Sequence, residues 1–217
     1  MSGTLLLIAM GYLMGSIPTS YLAGRWLKGI DLRRYGSGTV SGTSVYYHVS
    51  RPAVVAVGVL DIAKVWLPTW LGIRWGLGLG AALVAGLAAM IGHNWPLYLG
   101  FHGGRGHSSI IGIMLAVFPW GFPWLLAFMA LGRLMGQTAL FSLLGIATLP
   151  LLVAFADQPP EVIWATVATL AITLAKRLEA NRRPLPPPGP ERRRVLLRRL
   201  LFDRDVGARE AWDQRTP

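Results

Sequence analysis

Long apolar runs alternate with short polar joints along this chain, at the spacing of membrane crossings rather than of packed soluble helices. A first run covers 4–22 and has Pro18 near its end. After a polar loop over 24–51, Pro52 at a first helical position opens a second run, 53–73, which Arg74 closes. A third run, 76–98, breaks late at Trp95 and Pro96. The stretch 110–131 is long enough for one crossing, yet Pro119, Gly121 and Pro123 sit in its middle as PWGFP. The pattern therefore predicts two helices, 109–118 and 124–135. The first is too short, at ~1.5 Å per residue, to cross a core of about 30 Å unaided. Runs over 139–155 and 162–175 complete the set, parted by the acidic DQPPE of 157–161.

Composition agrees with the pattern. Of 217 residues, 53% are hydrophobic and only 14% charged, which places the chain among polytopic membrane proteins. The net charge of +11 suggests nucleic acid in a soluble chain, but twelve of the 21 lysines and arginines stand at or beyond Lys176, so charge belongs to the tail and no nucleic-acid partner is expected. With no cysteine there is no disulfide framework, thiolate nucleophile or cysteine-ligated metal. The first run lacks a basic leader and a small-residue cleavage site, so it reads as a retained helix.

Charge asymmetry then sets the topology. The loop carrying Arg25, Lys28, Arg33, Arg34 and Arg51 belongs inside, which puts the N-terminus outside. A cationic tail must also be inside, requiring an odd number of crossings. The expected fold is all-α, a polytopic integral membrane protein with seven transmembrane helices, some short or broken, its N-terminus outside and its C-terminus cytoplasmic. Residues 1–183 form the membrane-embedded domain and 184–217 the tail. In the tail, PLPPPGP is an extended spacer and ERRRVLLRRLLF reads either as an interfacial amphipathic helix on an anionic leaflet or as a basic end that enforces topology.

Two polar knots share the expected cytoplasmic face. The first is DLRRYGSGTVSGTS, 31–44, and the second spans 100–109, with GGRGHSS at 103–109. Glycines such as Gly36 and Gly38 admit positive φ, so that backbone N–H groups converge on an oxyanion, while Ser37, Thr39, Ser41 and Thr43 add hydroxyls and Arg33 a fork of donors. Gly103, Gly104 and Gly106 flank one cation, Arg105, at the start of a short helix. A plain polar connector explains the first knot alone equally well. Two anion cradles beside a bilayer suit two phosphate-bearing substrates, one of them with an acyl chain.

Here the residues resemble a family. GSIP (15–18), Gly24-Arg25, Asp31-Leu32-Arg33 and GSGTVSGTS resemble the first signature of the bacterial acyl-phosphate:glycerol-3-phosphate acyltransferases. DIAK (61–64) is similar to that family's DxxK, GHNWP (92–96) to its GHxxP, and GGRG (103–106) to its GGKG. The resemblance implies a small seven-helix enzyme of the bacterial inner (plasma) membrane. It moves a fatty acyl group from acyl phosphate to glycerol 3-phosphate, giving lysophosphatidic acid and phosphate, with no cofactor and no metal. Membrane lipids are its other partners, and the oligomeric state, monomer included, stays open.

The departures are specific. Thr39, Ser41, Gly42 and Ser44 fill varied positions of the first signature, and Tyr47 stands where an arginine is usual. Arg105 replaces the GGKG lysine, exchanging a compact ammonium for a planar fork. After the last run the family's HxxNxxR keeps Asn181, with Leu178 at the histidine position and Arg182 and Arg183 nearby.

The expected catalytic residues are Ser37, Lys64, Arg105 and His93. The expected substrate contacts are Arg33, Gly36, Gly38, Thr39, Thr43, Gly103, Gly104, Gly106 and Asn181. No GxSxG elbow or HxxxxD pair calls for a covalent intermediate, so direct transfer is the simpler chemistry. Duller readings stand beside these. Asp61 and Lys64, three apart on one helical face, also read as a neutralising pair, and His93 as a structural histidine bonded to backbone. Trp66, Trp70, Trp75 and Trp95 read as interface anchors, and Gly76, Gly78, Gly80 and Gly86 as sites of close helix packing. Two other functions fit the pattern: an organophosphate transporter, and a relative with another acceptor or with lipid binding in place of catalysis.

Overall fold

The computed structural model describes residues 2–36 and 38–205, and among these every regular element is a helix. In chain order they are α1 (Ser2–Gly15), α2 (Thr19–Lys28), α3 (Gly42–His48), α4 (Ala53–Arg74) and α5 (Leu79–Asn94), then α6 (His107–Val117), α7 (Gly121–Leu134), α8 (Thr138–Phe155), α9 (Pro160–Glu179) and α10 (Pro190–Phe202). Among the described residues, four stretches are long and apolar enough to cross a membrane: Ser2–Lys28, Ala53–Arg74, Leu79–Leu99 and Thr138–Phe155. The outward surface fits that reading, with Leu5, Leu6, Val59, Leu134, Phe155 and Trp164 exposed while Asp61, Lys64, His93, Lys176 and Arg177 are buried.

The first apolar run is not one helix. It breaks at Ser16–Pro18 into α1 and α2, because Pro18 has no N–H to donate and disfavours a helical residue before it. The third stops at Asn94, where Trp95 and Pro96 leave helical geometry. PWGFP does part α6 from α7, and α10 forms over the basic amphipathic stretch.

Small residues let α1 and α5 meet backbone to backbone. A Cβ on Gly11, Gly15 or Gly92 would collide with the carbonyl of Ala85, Ala89 or Tyr12, a small-xxx-small seam in which side-chain bulk is excluded. Gly86 likewise leaves room only for the Thr69 hydroxyl. Gly76, Gly78 and Gly80 differ from the packing expectation: each faces open space, and Gly76 and Gly78 serve instead as positive-φ turn residues between α4 and α5. Thr166, Thr169 and Thr173 return their hydroxyls to carbonyls of α9 itself, so that helix presents no unpaired hydroxyl in the bundle. The main core joins α5, α6, α8 and α9 through Met90, Ile110, Ile113, Ile146, Leu149 and Val162.

Candidate active site

The break between α1 and α2 builds the floor of the site. It releases the Ile17 carbonyl, which accepts the Lys64 ammonium at 2.8 Å. Lys64 also pairs with Asp61 at 2.8 Å, one helical turn back on α4. Asp61 gathers two further groups: the Thr19 hydroxyl at the start of α2, and His93 Nδ1 from α5 at 3.5 Å. Asp61, Lys64 and His93 are each less than a tenth exposed. A carboxylate at this depth persists because a cation, a hydroxyl and an imidazole surround it. The Asp61–Lys64 pair is therefore not an isolated neutralising couple; it fastens α4 to the broken strand of backbone between α1 and α2 and to α5.

The second knot folds directly onto this floor. Gly104 N–H donates to the His93 carbonyl at 3.1 Å, and a Cβ on Gly104 would collide with the His93 ring. Gly103 has equally little room against the His93 carbonyl and Pro96, and Gly106 takes φ +79° beside the Asn94 side chain. These glycines are required by close approach to α5 as much as by any anion, and one N–H of the expected cradle is already spent on protein. A cleft of about 210 Å³, counting space open to solvent, lies between Ile17, Thr19, Val40, Lys64, His93 and Gly104. It brings Lys64, His93, Gly103 and Gly104 together.

The first knot is more local than its sequence suggests. Asp31 caps the turn at Leu32–Arg34 by accepting the Arg33 N–H, and the Arg33 fork closes on the same carboxylate at 2.7 to 3.2 Å. That hydrogen-bonded guanidinium holds the Asp31 carboxyl below the usual carboxylate range. Arg33 thus turns its Nε–Nη2 edge to Asp31 and lays its guanidinium over the Tyr21 ring at 5.3 Å. Ser41 is the N-cap of α3, Ser44 donates to the Thr39 carbonyl, and Thr43 sits exposed in the first turn of that helix. The hydroxyl-rich second half of the motif is a helix start rather than a continuous cradle, because Ser and Thr bond the free N–H and C=O groups of a helix end before anything else. Gly36 and Gly38 do adopt positive φ, at +51° and +69°. Ser37 lies outside the described residues.

The segment after α9 connects the two knots. Ala180, Asn181 and Arg182 take left-handed φ of +48°, +55° and +60°, which turns the chain back over the site. Asn181 donates its side-chain amide to the Gly103 carbonyl at 3.2 Å, and Arg183 reaches the Gly36 carbonyl at 3.2 Å. Glu179 supports the turn, accepting from the Asn181 N–H and from buried Lys176. Lys176 lies 4.9 Å from the Trp95 ring, so Trp95 serves a cation–π contact and a carbonyl bond from Tyr12 rather than a membrane interface. Arg105 faces away from the floor: it donates to the Lys176 carbonyl at 3.0 Å and lies 2.9 Å from the Asp203 carboxylate.

Several of these groups were invisible to motif reading. Thr19, Lys176, Glu179 and Asp203 carry no motif, and Thr19 and Asp203 find their partners, Asp61 and Arg105, far off in sequence. Asp61 had a local signal, its spacing to Lys64 within an apolar run, and Arg183 stood beside the third signature.

Helices apolar outside and charged within, closing on a cleft beside two glycine loops, define an integral membrane protein. The family model described as glycerol-3-phosphate acyltransferase matches residues 5–185. A glycerol-3-phosphate acyltransferase of Synechococcus sp. (strain CC9902) is 42% identical over 181 residues, 82% of this chain and 90% of the relative. Glycerol-3-phosphate acyltransferase 4 of Dehalococcoides mccartyi (strain CBDB1) is 32% identical, with 97% and 93% of the two chains covered. The crystal structure of PlsY, an integral membrane glycerol 3-phosphate acyltransferase, in its glycerol 3-phosphate form matches with a TM-score of 0.74 and 28% identity over 83% of this chain and 91% of that one. Its lysophosphatidic acid form matches with a TM-score of 0.73. The chain belongs to the glycerol-3-phosphate acyltransferase family.

Proposed function

We propose that the protein transfers a fatty acyl group from acyl phosphate to glycerol 3-phosphate, forming 1-acylglycerol 3-phosphate and inorganic phosphate for phospholipid synthesis. The observation that carries this reading beyond family membership is the meeting of both glycine knots with one segment, Asn181 on Gly103 and Arg183 on Gly36. A site that gathers two such loops suits two phosphate-bearing substrates in contact.

The chemistry needs no covalent enzyme intermediate. The acceptor hydroxyl oxygen attacks the acyl carbonyl carbon, the bond from that carbon to the phosphate oxygen breaks, and the hydroxyl proton leaves with the phosphate. The protein contributes alignment and charge. Holding the two reactants in register supplies roughly 7 to 11 kcal/mol of barrier reduction. Lys64 and His93 line the cleft and Arg105 offers the knot's cation; with Ser37 they are the proposed catalytic group. Arg33, Gly36, Gly38, Thr39, Thr43, Gly103, Gly104, Gly106 and Asn181 are the proposed substrate contacts. Arg33 and Arg105, each engaged by a carboxylate, would turn from it to take a phosphate.

The same reading proposes seven crossings in a bacterial plasma membrane, with the two knots, the Asn181 segment and the tail on the cytoplasmic face and residues 1–183 as the catalytic unit. Purified protein given palmitoyl phosphate and glycerol 3-phosphate should release phosphate. Turnover no higher than that of a Ser37→Ala, Arg105→Ala double variant, across several acyl lengths, would remove the enzyme reading.

A further inference from the structure

The family match ends at residue 185, yet the chain continues into α10, and α10 is clasped to the membrane-embedded helices by two buried arginines. Arg177 of α9 donates to the Leu200 and Leu201 carbonyls at 2.8 and 3.3 Å, capping the C-terminal end of α10, where helix carbonyls lack partners. Arg199 of α10 returns the contact. Its guanidinium, 2% exposed, donates to the carbonyls of Leu178 at 3.1 Å, Arg183 at 3.2 Å and Pro184 at 3.4 Å. Asp205 takes the Nε–Nη2 edge of that fork at 2.6 and 3.0 Å, sharing Nη2 with the Arg183 and Pro184 carbonyls.

The three carbonyls bracket the turn that carries Asn181 and Arg183 onto the glycine knots. That turn contains three consecutive left-handed residues, none of them glycine, a conformation a free chain with Cβ atoms leaves readily. Something must hold its two ends. Glu179 holds the middle from within; Arg199 holds Leu178 before it and Arg183 and Pro184 after it. A planar fork with five donors reaches several carbonyls at once, where an ammonium does not.

We propose that Arg199, locked by Asp205, is a positioning residue for the acyl transfer, holding the 178–184 turn so that Asn181 and Arg183 stay on Gly103 and Gly36. The tail is then part of the site's architecture. Leu178, which occupies the histidine position of the family's third signature, takes part through its carbonyl, and α10 supplies from outside the family region a support for the altered signature. This inference rests on the acyltransferase reading for its kinetic consequence, but its structural consequence is independent of it.

The test uses the full chain in nanodiscs with Arg199→Ala, Arg199→Lys and Asp205→Asn. Backbone hydrogen exchange over 178–183 should accelerate in both Arg199 variants, with α4 and α5 unchanged. In phosphate-release assays their KM for glycerol 3-phosphate should rise about tenfold while kcat changes less than about twofold, a split that loss of folded enzyme would not produce. Asp205→Asn should move both readouts in the same direction by a smaller amount. If Arg199→Ala does not fold, Arg199→Lys and Asp205→Asn decide both readouts. Wild-type exchange in a folded Arg199 variant overturns the clasp, and faster exchange with an unchanged KM overturns the positioning role. A wild-type protein without turnover refutes the acyltransferase reading, and exchange alone then decides the clasp.

Discussion

Asn181 donates its carboxamide to the Gly103 carbonyl across 78 positions of sequence, at 3.2 Å, while its own oxygen lies buried without a hydrogen-bond partner among the described residues. The donor half of the amide fixes the loop, and the acceptor half is the proposed contact for the hydroxyl of the acceptor. Asn181→Ala should therefore lower kcat/KM for glycerol 3-phosphate by about tenfold to a hundredfold, the loss of one or two buried hydrogen bonds, with the thermal midpoint nearly unchanged. Asn181→Asp should fare no better, since a carboxylate cannot donate to Gly103. Steady-state kinetics on purified protein checks both.

Gly104 leaves no room for a methyl group. Its Cβ would enter the His93 ring, and the ring cannot retreat because Asp61 lies behind it. Gly104→Ala should destabilise the protein by about 1 to 3 kcal/mol and abolish most turnover. Gly80→Ala, on a helix face open to space, is the matched control and should leave the thermal midpoint within about 2 °C. Scanning fluorimetry in one detergent compares the two.

Removal of the Asp61 carboxylate leaves Lys64 buried beside only a carbonyl. Asp61→Asn should cost about 3 to 5 kcal/mol, the range for breaking a buried pair by deleting one partner. Asp61→Asn combined with Lys64→Met should recover part of that stability without recovering activity. The recovery separates a charge penalty from general damage, and a denaturation series on the three variants reads it out.

Arg105 has a planar fork where the family carries lysine. Arg105→Ala should raise the KM for a phosphate-bearing substrate by about tenfold to a hundredfold, the worth of one charge-assisted hydrogen bond. Arg105→Lys restores the family residue but cannot keep both the Lys176 carbonyl and a phosphate, so it should recover only part of the loss.

A reporter fused after Pro217 should be cytoplasmic. A periplasmic signal would give an even number of crossings and separate the tail from the face on which the knots are proposed to lie. Phosphatase and fluorescent-protein fusions at the same position give opposite signals and check each other.

How much of this was legible differs from element to element. Apolar runs marked the helices, and PWGFP marked the break between α6 and α7, because hydropathy and proline act over a few residues and need no distant partner. The order of DIAK, GHNWP and GGRG marked the family for the same reason: each motif is local. The first knot was legible only in part. Ser41, Thr43 and Ser44 have the composition of an anion loop and the geometry of a helix start, and only the course of the backbone distinguishes the two.

What residues 1–217 determined alone was the class: an all-helical membrane protein, cationic at its end, with glycine loops between its helices. Tertiary structure decided which groups meet. Ile17 with Lys64, His93 with Gly104, Asn181 with Gly103 and Arg199 with Leu178 pair across 47, 11, 78 and 21 positions. The reason is physical: a buried donor or cation must find an acceptor wherever the packed backbone leaves a carbonyl free, and which carbonyls are left free follows from where helices break and cross, a property of the folded chain that no window of its sequence contains.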